Sequence, residues 1–103
     1  MTVSYHEPAS EQSTQTREIH RAIATLVEEL EAVDWYQQRV DVTGDEELKA
    51  ILAHNRDEEI EHASMLQEYL RRKVPAFDAQ LKLYLFKTAP ITEIEAAEAG
   101  GGG

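Results

Sequence analysis

Two long apolar stripes, joined by a turn too short to let them separate, constrain what this chain can fold into. The first stripe is Ile19, Ile23, Leu26, Leu30, Val33, Gln37 and Val40. The second is Leu48, Leu52, Asn55, Glu59, His62, Leu66 and Tyr69. Steps that alternate between four and three residues stay on one side of an α-helix. Between the stripes lies only Asp41-Val42-Thr43-Gly44-Asp45, and a connection that short makes the two helices antiparallel neighbours. Thr43 with Glu46 reads as a capping box for the second helix, and Arg71-Arg72-Lys73 suits its C-terminal end. Val74-Pro75 then breaks the pattern, with Pro75 opening a third, short helix whose apolar face is Phe77, Leu81, Tyr84 and Leu85. The expectation is an all-α fold, an antiparallel two-helix hairpin plus a short C-terminal helix. Its helices cover about 14–41, 44–73 and 75–87 within a helical domain at 14–95. Residues 1–13 are expected to form a mobile N-terminal arm, and 96–103 a flexible glycine-rich tail. A hairpin gives a thin core for 103 residues, so a bundle of four helices completed by dimerisation is expected.

The second stripe is apolar at its ends and polar in its middle. Asn55, Glu59 and His62 stand where leucine would be expected. A carboxylate taken out of water needs a charged partner or a metal. Glu59 and His62 are three residues apart and project from one helical face. Glu-x-x-His is the half-site that di-iron carboxylate bundles supply twice, together with a single Glu from each of two other helices. Glu29, on the shoulder of the first stripe, is the matching single carboxylate, and Tyr36 stacks above it seven residues on. One chain therefore holds half of the ligand set on half of the helices. A two-fold dimer would supply Glu29, Glu59 and His62 twice. Such ligands suit iron, manganese or zinc, and ligand type alone does not choose among them.

Two further clusters lie on outward faces. Glu28, Glu31 and Trp35 share one on the first helix, and His54, Glu58 and Glu61 share one on the second. Each fits a low-affinity cation site or entry path, and each also fits a solvated acidic face. His20 and His6 are given no role.

Twenty acidic against ten basic residues give a net charge of −10, which excludes the basic footprint of a nucleic-acid binder. The absence of cysteine removes disulfides, zinc–thiolate and iron–sulfur centres. No apolar run approaches a membrane span, and the N-terminus has no signal-peptide pattern, so a cytoplasmic protein is expected. Three readings stay open on these grounds. One is a di-metal carboxylate site shared between two subunits; another is a helical oligomerisation module whose Glu59/His62 layer is structural; the third is a di-metal oxidase acting on an organic substrate.

The run Glu28-Glu29-Leu30-Glu31-Ala32-Val33-Asp34-Trp35-Tyr36, followed by Ile51-Leu52-Ala53-His54-Asn55-Arg56-Asp57-Glu58-Glu59 and Glu61-His62, resembles the encapsulated ferritins. Leu70-Arg71-Arg72, Tyr84-Leu85-Phe86 and Pro90-Ile91 agree, so the resemblance covers about 17–95. It implies a half-ferritin subunit whose dimer forms a ferroxidase centre from Glu29, Glu59 and His62 of both chains. Each dimer would bind two irons, with Tyr36 beside them, and other divalent cations such as Ca, Mn or Zn could occupy sites. It also implies assembly into an annular decamer that oxidises Fe(II) with dioxygen inside an encapsulin shell, the nanocompartment that stores the product. By the same resemblance Glu28, Glu31 and Trp35 match a metal entry region, and His54, Glu58 and Glu61 a peripheral metal site. A targeting peptide is expected beyond the terminal glycines.

Overall fold

The structure, a computed structural model, describes residues 4–100. Among them it contains a 3-10 turn, Ala9–Glu11, and four helices: α1 (Thr14–Val42), α2 (Glu46–Lys73), α3 (Pro75–Tyr84) and α4 (Ile91–Gly100). The chain forms two compact units, one up to Leu70 and one from Arg71.

In the first unit α1 begins where the Ser13 hydroxyl accepts the amide of Thr16 at 3.0 Å, one of the orphan donors of a helix start. It ends as Thr43 turns to extended backbone and donates its amide to the Arg39 carbonyl. The connection is 43–45, and the cap of α2 differs from the expected Thr43/Glu46 box. Asp45 Oδ1 accepts the amides of Glu47 at 2.9 Å and Leu48 at 3.1 Å, while Thr43 Oγ1 accepts the amide of Asp45. The reason is register: with the first helical residue at Glu46, Asp45 holds the cap position, where a carboxylate meets both free amides and the positive end of the helix.

Residues 4–13 of the arm expected to be mobile lie against α1, and residues 1–3 lie outside the described residues. Tyr5 stacks on His20 with ring centroids 4.1 Å apart, Gln12 donates to the Glu7 carbonyl, and Arg17 donates to the Ala9 carbonyl. A groove of about 650 Å³ runs beside this contact, lined in part by Ile19 and Ile23.

The seam of the hairpin is thin. Among the described residues Ala22, Val40, Ala63 and Leu70 are buried, and three of these are small. Some larger stripe residues stay open, with Leu30 53% exposed and Leu48 44%, while Leu26, Leu52 and Leu66 are half-buried. The hairpin thus presents apolar surface along the stripe on which its polar residues lie.

In the second unit Asp78 on α3 accepts a hydrogen bond from Arg71 and pairs with Lys82 Nζ at 2.9 Å. The third helix ends at Tyr84 rather than near 87, because Leu85 is extended and Phe86 has φ 62°. A left-handed residue just past the cap is a common way to stop a helix, although glycine usually fills the position. Phe86 is 99% exposed there. Residues 96–100, expected as flexible tail, instead continue α4. Pro90 lends its carbonyl to the amides of Glu93 and Ile94, and Ala96, Ala97, Glu98 and Ala99 are strong helix formers. Residues 101–103, the rest of that expected tail, lie outside the described residues.

Candidate metal centre

The helix α1 contributes Glu29 and α2 contributes Glu59 and His62. His62 Nδ1 lies 3.6 Å from Glu29 Oε2 and 3.6 Å from Glu59 Oε2. These gaps exceed a hydrogen bond and fall within ion-pair range. One ligand atom from each of the three residues falls within 4.8 Å of the others. Two atoms bound to one ion at about 2.1 Å each are no more than about 4.2 Å apart, so the two 3.6 Å gaps have the size of a shared cation. The donor set, two carboxylates and one imidazole, is one that divalent transition metals accept.

Burial in the site is graded. The carboxylates are mostly covered, with Glu29 22% and Glu59 24% exposed, whereas His62 is 43% exposed. The carboxylates are therefore partly desolvated, and a cation between them would gain more than it would from a fully hydrated pair. Three protein ligands from one chain leave coordination positions that this chain does not fill.

The other expected residues are placed differently. His54 Nε2 pairs with Glu58 Oε1 at 2.7 Å on the exposed surface of α2, and Glu61 is exposed. Among the described residues, these three do not gather their ligand atoms as Glu29, Glu59 and His62 do. Glu28 and Trp35 are exposed as expected, whereas Glu31 is half-buried rather than outward. Tyr36 is half-buried, and the Arg39 guanidinium lies over its ring at 5.8 Å from the centroid.

A polar layer beside the centre escaped the reading of the sequence. Arg56 Nη1 donates to Gln37 Oε1 at 2.7 Å, joining α2 to α1. Its Nε and Nη2 both donate to Asp57 Oδ1, at 3.1 and 3.0 Å. Gln37 in turn donates from Nε2 to Asp41 Oδ1 at 3.1 Å. The available signal was Gln37 itself, a polar interruption of the first stripe.

With this geometry in hand, similarity to known proteins is informative. The EncFtn-like family model matches residues 4–88. A ferritin-like protein of Thermotoga maritima is 54% identical over 98% of this chain and 89% of its own length. An encapsulated ferritin-like protein of Rhodospirillum rubrum is 56% identical over 97% of this chain and 71% of its own. The encapsulin nanocompartment cargo protein EncC of Myxococcus xanthus is 38% identical over 97% of this chain and 79% of its own. The crystal structure of protein NE0167 from Nitrosomonas europaea superposes with a TM-score of 0.82 at 64% identity, covering 84% of this chain and 97% of that one.

Proposed function

This chain belongs to the EncFtn-like family, the encapsulated ferritins, and from that premise we propose that it is a ferroxidase whose di-iron site is shared between two subunits. The observation that carries the reading is the convergence of Glu29, Glu59 and His62 on a hairpin with open apolar faces. Those residues are half of a di-iron carboxylate set, and a two-fold partner supplies the other half.

Fe(II) is the substrate. Two Fe(II) ions give one electron each, and dioxygen takes the pair with two protons and leaves as hydrogen peroxide. Glu29 and Glu59 offset the charge of the bound cations and favour Fe(III), since hard oxygen donors prefer the harder ion. His62 binds through a neutral ring nitrogen, so protons compete with the metal there. Its exposure leaves it room to move as product departs. Tyr36 serves beside the centre as a hydrogen-bond or electron donor. Glu28, Glu31 and Trp35 form the entry region, and His54, Glu58 and Glu61 a peripheral cation site. Dimers assemble into an annular decamer within an encapsulin shell, which stores the oxidised iron.

The test is oxidation of Fe(II) in air, followed by ferric absorbance, for the parent and for Glu59→Ala and His62→Ala. Both variants should oxidise iron no faster than buffer. Parental rates in both would end the reading.

A further inference from the structure

Arg56 lies three residues before Glu59 on α2, and side chains at that spacing are neighbours on a helix surface. A guanidinium so placed is a strong partner for a carboxylate, because it is always charged and presents a fork of donors. If it closed on Glu59 it would occupy a metal ligand with a cation. The structure shows it engaged elsewhere. Asp57 Oδ1 accepts from both Nε and Nη2, and Gln37 Oε1 accepts from Nη1 at 2.7 Å. The Gln37 amide has one sensible orientation, since Arg56 can only donate and the Asp41 carboxylate can only accept. Donation thus runs outward from Arg56, to Asp57 on one side and through Gln37 to Asp41 on the other.

We propose that Asp57 and Gln37, the latter oriented by Asp41, hold the Arg56 guanidinium away from Glu59 and so keep that carboxylate available to metal. The inference rests on reading Glu29, Glu59 and His62 as metal ligands. It makes Asp57 and Gln37 positioning residues. It also explains why a cation stands one helical turn from a cation site without closing it. A mere tie between the helices would need Arg56 itself. Sequestration predicts the reverse: once its two partners are gone, Arg56 is harmful.

The experiment titrates Co(II), a stand-in for Fe(II) that air does not oxidise under these conditions, into the full chain and reads the visible spectrum. Asp57→Ala/Gln37→Leu should weaken Co(II) binding about tenfold, and adding Arg56→Gln to that pair should restore affinity to within about twofold of the parent. Asp57→Ala alone, which leaves the contact to Gln37, should weaken binding less and in the same direction. Parental affinity in the double variant would overturn the proposal. So would a triple variant as weak as the double, because the layer would then act only as a tie between helices. The ferroxidase reading fails separately. A parent that binds Co(II) but oxidises Fe(II) no faster than buffer would end that reading and leave this one standing.

Discussion

Glu29 Oε2 and His62 Nδ1 lie 3.6 Å apart, on different helices and on opposite sides of the turn at 43–45. That turn allows the contact, since it returns α2 along α1 and brings the single carboxylate of one helix to the Glu-x-x-His of the other. Among the described residues the hairpin brings these three ligands together, and Leu30 and Leu48 on its stripes are exposed.

Leu30, next to Glu29 in the chain, is 53% exposed on the first stripe. Covering it in a dimer would gain roughly 1.5 kcal/mol or more in each copy. Leu30→Glu should therefore weaken dimerisation roughly a hundredfold or more. Sedimentation should show monomers, and iron binding should be lost with the dimer although all three ligands are intact. Tight iron binding by that monomer would refute the shared site.

Asp45 caps α2 with two hydrogen bonds through one carboxylate oxygen. Asp45→Ala should cost about 1 kcal/mol of stability, and Thr43→Ala clearly less. Thermal unfolding of the two variants distinguishes the observed cap from a Thr43/Glu46 box, which would reverse their order.

The Asp78 carboxyl is held below its ordinary range by hydrogen bonds from Lys82 and then Arg71, with their charges adding and desolvation opposing. A folded-state pKa that is depressed contributes stability above the unfolded pKa, and that stability is lost as pH falls through the folded value. At neutral pH the contribution is fully present. Asp78→Asn should therefore lower Tm at pH 7, and the gap to the parent should close below about pH 4. A gap unchanged at the acid end would show that the charge on Asp78 is not what stabilises the second unit.

Much of this was legible because periodicity is a strong signal over long helices. The stripe from Leu48 to Tyr69 placed Glu59 and His62 on one inward face, and the structure sets them against Glu29. The stripes also overstated burial: Leu30 and Leu48 lie on them and are open, since spacing identifies a face without saying what covers it. Local competition decided the misses. Asp45 and Thr43 both suit a cap, and only the register of α2 selects Asp45. Phe86 stops α3 in a backbone conformation that its residue type gives no reason to expect. Ala96 to Ala99 sit before glycines, and their own helix propensity prevails. The link from Arg56 to Gln37 depends on two helices meeting at one layer, and the stacking of Tyr5 on His20 depends on the arm folding back. Gln37 interrupts the first stripe but does not name its partner, and the stacking of Tyr5 on His20 has no local signature.

The central claim is that two copies of this chain build one di-iron site. An anaerobic titration of Fe(II) into the purified chain, read by native mass spectrometry, tests it most directly. The account predicts one iron per chain, gained as two per dimer, with larger even-numbered assemblies growing as iron is added. Iron bound singly to monomers, or no iron bound and a fixed oligomer throughout, would contradict it and leave Glu59 and His62 as a polar layer in a helical scaffold.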